Sequence, residues 1–172
     1  MLCKEKKYKE AESVLRDCCE KRKEVLGERD KDSLHTQLWL GATLNQEKKY
    51  QEAEKMLRDC CGKRKEILGE RDEDTLTAQN WLGTALYDDG QYEEAERELN
   101  ECWVKQKEVL GERDKDSLHT QLWLGATLYQ EKKYEEAEVI LRDCYEKQKE
   151  VLGETHPETL CTKKHLEDVL QK

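Results

Sequence analysis

Tyr8, Tyr50, Tyr92 and Tyr134 lie 42 residues apart, and that interval constrains the fold more than any other feature of the chain. Ala11, Ala53, Ala95 and Ala137 keep it, as do Gly27, Gly69, Gly111 and Gly153, and Leu34, Leu76, Leu118 and Leu160. A globule with one core has no use for such a period. A solenoid requires one, because each unit buries its apolar face against the next. A longer period lies over the first: Lys23–Cys60 and Lys107–Cys144 agree at 34 of 38 positions, differing at 45/129, 51/135, 55/139 and 56/140. An 84-residue tandem pair therefore reads as copied.

Each unit reads as two helices, helix A over about 31–47 and helix B over about 50–68, with their 42-residue equivalents. Glu, Lys, Leu, Gln, Ala and Arg dominate, all strong helix formers, and Pro157 is the only proline. The four periodic glycines fall just past each helix B, where a left-handed residue closes a helix. Asp30, Asp72 and Asp114 stand where the next helix A needs an N-cap, and His156 before Pro157 takes that place in the last unit. Glu47-Lys48-Lys49 and Asp89-Gly90-Gln91 form the A–B turn. Gly90 implies a left-handed residue there, at a cost of about 1 kcal/mol when Lys48 or Lys132 holds it. The expected architecture is all-α, a solenoid of antiparallel helix pairs with about eight helices in a single domain, 1–172. It divides into a half repeat 1–30, repeats 31–72, 73–114 and 115–156, and a C-terminal capping helix 157–172.

Charge excludes several functions. The chain is 41% charged and only 35% hydrophobic, with a net charge of −9. Its Lys and Arg are interleaved with Asp and Glu, as in Glu20-Lys21-Arg22-Lys23-Glu24, which is a solvated helix face and not the clustered basic surface that nucleic acid needs. No apolar run approaches membrane-spanning length, and Met1–Lys7 has no apolar segment of the signal-peptide kind. Neither nucleic acid nor membrane is an expected partner. Catalytic constellations are missing too: there is no Gly-rich phosphate loop, no nucleophile elbow and no paired carboxylates in a plausible pocket. The reading is a non-enzyme without cofactors.

The eight cysteines include the adjacent pairs Cys18-Cys19 and Cys60-Cys61 inside helical pattern, where neighbours point apart. Free thiols in a reducing cytoplasm are expected. Cys18, Cys60, Cys102 and Cys144 repeat at the 42-residue interval and read as core. Cys161 and His165 share one helix face at i,i+4, a spacing compatible with metal, yet two ligands do not make a site.

Trp39-Leu40-Gly41-x-x-Leu44, Tyr50-x-x-Ala53 and Leu57-x-x-Cys60 resemble the tetratricopeptide repeat (TPR). The 42-residue form, with Leu152-Gly153-Glu154-Thr155-His156-Pro157-Glu158-Thr159-Leu160, is similar to the repeats of kinesin light chains, although only the last unit has the His-Pro. The resemblance covers essentially the whole chain. It implies a right-handed superhelix whose concave face, lined mainly by A helices, takes up an extended peptide or a partner's helix.

Leu34–Gln46, Leu76–Tyr87 and Leu118–Gln130 carry no Asp, Glu, Lys or Arg. Outward faces of soluble helices normally carry charge, so these read as buried or groove-lining. Leu34, Gln37, Leu40, Gly41 and Leu44 form one packing stripe. His35, Leu38, Trp39, Ala42, Asn45 and Gln46 lie toward the other side, which by the resemblance is the groove. The equivalents there are Asn80, Trp81, Thr84 and Tyr87, then His119, Leu122, Trp123, Ala126, Tyr129 and Gln130. Trp39, Trp81 and Trp123 then read either as a ladder of binding anchors or as core tucked against a neighbouring helix. Kinesin-light-chain repeats often have Asn where this chain has Trp. An apolar, Trp-lined groove implies a protein or peptide partner that is apolar or amphipathic, not acidic. The alternative is a self-associating assembly module. Met1–Lys7 aligns only with the end of a helix A, so the first helix B, about 8–26, lacks its partner: either the chain is cut from a longer array or another molecule covers that apolar face, and self-association is expected.

Overall fold

The computed structural model describes the backbone of residues 2–172 and the side chains from Lys7 onward. Eight helices make up 83% of the chain: α1 (Leu2–Leu26), α2 (Lys31–Gln46), α3 (Tyr50–Leu68), α4 (Glu73–Asp88), α5 (Tyr92–Val109), α6 (Lys115–Gln130), α7 (Tyr134–Val151) and α8 (Pro157–Leu170). No strand occurs among the described residues, and no helix there is long and apolar enough to cross a membrane. The even-numbered helices are A-type and the odd-numbered ones B-type. They group into two compact units, residues 1–90 and 91–172.

In the first unit each helix packs on the next, and α2 also touches α4. In the second, α5 to α8 repeat the scheme, with α6 touching α8. Within each unit the A helices thus touch one another directly. Helices α2 and α6 each come close to their own B helix at a glycine, Gly41 in the first unit and Gly125 in the second. A β-carbon at Gly41 would sit 2.7 Å from Leu57 Cγ and Cδ2, and one at Gly125 would lie 2.5 Å from Leu141 Cγ. Glycine lets Leu57 and Leu141 pack onto bare backbone, fully buried.

Polar side chains set the register. Gln37 Nε2 donates to Met56 O (3.0 Å) and Asp59 Oδ2 (2.8 Å), and Gln121 repeats this on Ile140 O (3.2 Å) and Asp143 Oδ2 (2.7 Å). Arg22 Nη1 reaches forward to Asp32 O and Thr36 Oγ1 of the following A helix, each at 2.8 Å. Arg64 donates likewise to Asp74 O, and Thr162 Oγ1 donates to Gln148 Oε1 at 2.6 Å. Lys49 clips Glu12 of α1 (2.6 Å) to Glu47 in the A–B turn (2.8 Å), and Lys133 joins Glu96 of α5 (2.7 Å) to Glu131 (3.2 Å).

The helix termini follow the chemistry expected of them. Asp30, Asp72, Asp114 and His156 all accept a hydrogen bond from the backbone amide two residues on, His156 through Nδ1. Lys48 and Lys132 hold φ of 63° and 65°, and Gly90 holds 82°. Lys48 N donates to Asn45 O and Lys49 N to Leu44 O, the paired bonds of a Schellman closure with lysine at the left-handed position. Two details depart from the sequence reading. Gly69 closes α3 at φ 94°, ψ 164°, a region open to glycine alone but not the left-handed helical one. Residues 2–7 continue α1 and do not form the end of a helix A. Glu5-Lys6-Lys7 is the tripeptide that turns at 47–49 and 131–133. In α1 the same tripeptide is helical. Met1 lies outside the described residues.

Candidate functional site

The A helices divide their residues among three directions, not two. On α2, one stripe packs on α3. Leu38, Ala42 and Asn45 are also buried, and Asn45 Nδ2 donates to Asp88 Oδ2 of α4 at 2.6 Å. Leu38, Ala42 and Asn45 were expected to face the groove, and burial removes them from it. The physical reason is the second A-helix neighbour, which takes a side of the helix that one repeat viewed alone leaves open. Their equivalents Asn80, Thr84, Leu122 and Ala126 are buried as well.

What remains outward is a narrower stripe. His35, Trp39 and Gln46 are exposed, and Thr43 is half-exposed between them. Trp39 is 47% accessible. On α4, Trp81 and Tyr87 are half-buried. On α6, His119, Trp123 and Tyr129 are half-buried and Gln130 is exposed. None of the three tryptophans is a fully enclosed core residue. The fourth, Trp103, lies on B-type α5 under the Lys107 ammonium, 3.6 Å from its ring centroid. Sequence reasoning missed Thr43, although His35, Trp39 and Thr43 at i, i+4 and i+8 mark the stripe.

The indoles are held in place. Trp39 Nε1 donates to His35 Nε2 at 2.9 Å, and Trp123 Nε1 donates to His119 Nε2 at 3.1 Å. The rings meet edge-on, 6.0 and 6.1 Å apart. Thr43 Oγ1 donates to Trp39 O at 2.8 Å, and Thr127 does the same to Trp123 O at 2.7 Å. Accepting the indole proton requires a neutral Nε2. Burial pushes the His119 pKa down, while Glu158 and Asp116 pull it the other way, and the net shift is downward. Burial likewise raises the Asp88 carboxyl, with the Asn45 bond acting against it. Tyr129 packs on Tyr134 with ring centroids 5.7 Å apart.

Burial withdraws three of the thiols from solvent. Cys60, Cys102 and Cys144 are fully enclosed. Burial raises Cys60 to about 11 and Cys144 to about 12, so neither is a thiolate near neutrality. Cys161 and His165 are half-buried, and among the described residues no group of three or more His, Cys, Asp or Glu is placed to hold a metal.

Two family models described as "Tetratricopeptide repeat" match the sequence, one over residues 32–103 and the other over 1–32 and 118–158. The chain belongs to the tetratricopeptide-repeat family. Repeats of this family mediate protein–protein interaction and are generally non-catalytic. None of the curated proteins resembles the sequence closely enough to match. Solved structures carry the same fold. Nearly identical TPR-like repeats of a kinesin light chain assigned in Podosopora anserina superpose with TM-scores of 0.80 and, for a point-substituted form of the same protein, 0.82, both at 22% identity. The alignments cover 95% of this chain and 78% and 77% of those chains. BtubC (BKLC) from P. vanneervenii gives a TM-score of 0.82 at 19% identity, over 98% of this chain and 67% of that one. At such identities the likeness establishes the kinesin-light-chain-like TPR solenoid fold and nothing about a partner.

Proposed function

We propose that this TPR chain is a non-catalytic scaffold whose A-helix faces bind an apolar or amphipathic segment of a partner protein. The carrying observation is the His35–Trp39–Thr43–Gln46 stripe: an exposed, uncharged helix face in a chain that is 41% charged, with its indole fixed by a hydrogen bond. A tryptophan already held in one orientation forfeits little rotamer entropy on binding, so the contact area it offers converts efficiently into affinity. Trp81 and Tyr87 extend the stripe within the first unit, and His119, Trp123 and Gln130 present its counterpart in the second. Acidic segments gain nothing from it, since the stripe carries no cation.

A displayed library of short segments, selected on the wild-type protein and counter-screened on Trp39→Ala, tests this. Enriched sequences should be apolar or amphipathic and should bind the variant about tenfold or more weakly, the loss of one aromatic anchor. Enrichment of acidic sequences, or of binders indifferent to Trp39, would overturn the reading.

A further inference from the structure

Asp88 ends α4, and the protein around it does not match its charge. Asn45 of α2 donates through Nδ2 to Asp88 Oδ2 at 2.6 Å. That bond sets the carboxylate beside the Gln46 end of the α2 stripe, about 10 Å along the helix axis from Trp39. Solvent reaches Asp88. Among the described residues neither Lys48 nor Lys49 pairs with it, and Lys49 is held by Glu12 and Glu47. Partial dehydration raises the Asp88 pKa, and the Asn45 bond alone favours its charged form.

Asn45 is 2% exposed, and its Oδ1 receives no hydrogen bond. A carboxylate and a buried amide oxygen thus meet here with one Asn45 N–H between them, and buried acceptors without donors are costly. The negative potential extends to α3: burial raises the pKa of the Tyr50 phenol, and Asp88 and Asp89 raise it further.

The second unit lacks this pair. Segments 23–60 and 107–144 agree at 34 of 38 positions, and one of the differences is 45/129, where Asn becomes Tyr. Tyr129 packs on Tyr134 instead, and the residue 84 positions after Asp88 is Lys172. The carboxylate–amide pair therefore accompanies Trp39 and not Trp123.

A metal ion does not suit the pair, because among the described residues no three His, Cys, Asp or Glu gather to hold one. An ammonium or guanidinium does, since its several N–H donors bring positive charge to acceptors that have too few.

We propose that the segment bound by the first unit's A-helix stripe carries a Lys or Arg that pairs with Asp88, about 10 Å from the apolar side chain it sets against Trp39. This rests on the stripe being the binding face. The distance corresponds to about three residues of an extended segment or about seven of a helix.

A displayed library of random short segments is the probe, selected in parallel on the wild type, Asp88→Asn and Glu24→Gln. Asp88→Asn keeps an oxygen for the Asn45 amide. Glu24→Gln removes the same charge from an exposed position on α1 and so controls for the net charge of −9. Segments enriched on the wild type and on Glu24→Gln should combine an apolar anchor with Lys or Arg. On Asp88→Asn the anchor should persist and the basic residue should lose its enrichment. For one such segment made as a peptide, neutralising its Lys or Arg should weaken binding to the wild type about two- to fivefold and leave binding to Asp88→Asn unchanged. Trp39-dependent binders without a basic residue, or a basic preference that survives Asp88→Asn, would overturn the proposal and leave the binding face standing. Basic binders that depend on Trp123 and not on Trp39 would overturn it too. Binders indifferent to all these tryptophans would overturn both the proposal and the binding face.

Discussion

Lys48 and Lys132 occupy backbone conformations that L-residues avoid, in turns where the remaining repeat has Gly90. The left-handed cost of about 1 kcal/mol is partly offset because glycine loses more freedom on folding, so Lys48→Gly should stabilise by roughly 0.5 kcal/mol and raise Tm by about 1–2 °C. Calorimetry showing a fall would contradict the turn geometry. His119 supplies a second prediction. Its folded pKa lies below the ordinary 6.5, so the unfolded chain takes up the proton first as pH drops. Its contribution is complete above that value and is lost as pH falls toward the folded pKa. Urea midpoints should therefore decline between about pH 7.5 and 5.5 more in the wild type than in His119→Asn. Glu12 acts in a lower window. The Lys49 hydrogen bond, with help from Glu47 and Arg16 and against burial, holds it at about 2 instead of 4.5. Stability from this clip is present above 4.5 and disappears toward pH 2, so Lys49→Met should move acid unfolding to higher pH.

Gly41 and Gly62 make a controlled comparison at the level of single helices. A methyl group at Gly41 meets Leu57 at 2.7 Å, whereas one at Gly62, on the exposed side of α3, meets nothing within 4 Å. Gly41→Ala should destabilise by about 1–3 kcal/mol through overpacking, and Gly62→Ala should stabilise by roughly 0.8–1 kcal/mol through helix propensity. Helix boundaries, caps and left-handed turns were legible in the sequence because each depends on residues a few positions apart. Which residues of helix A face outward was legible only in part. His35, Trp39 and Gln46 follow from the side opposite Leu34, Leu40 and Leu44, but Leu38, Ala42 and Asn45 are claimed by an A-to-A contact that reaches to Asp88, 43 positions along. The Lys49–Glu12 clip spans 37 positions and was hidden for the same reason.

Within each unit of the molecule, contacts join helices adjacent in sequence or one removed. Stability in such an array is a sum of nearest-neighbour terms. The B helix α3 has A helices on both sides, whereas among the described residues α1 is packed against α2 alone. Hydrogen exchange should therefore be faster along residues 8–22 than along 50–64, despite their closely related sequences. Equal protection would mean that something covers α1. The 38-residue segment 23–60 recurs almost unchanged 84 residues later, and in both places Leu57 or Leu141 settles onto an A helix at a bare glycine, Gly41 or Gly125. A joint repeated in this way lets one A–B pair stand in for another without its contacts being recut.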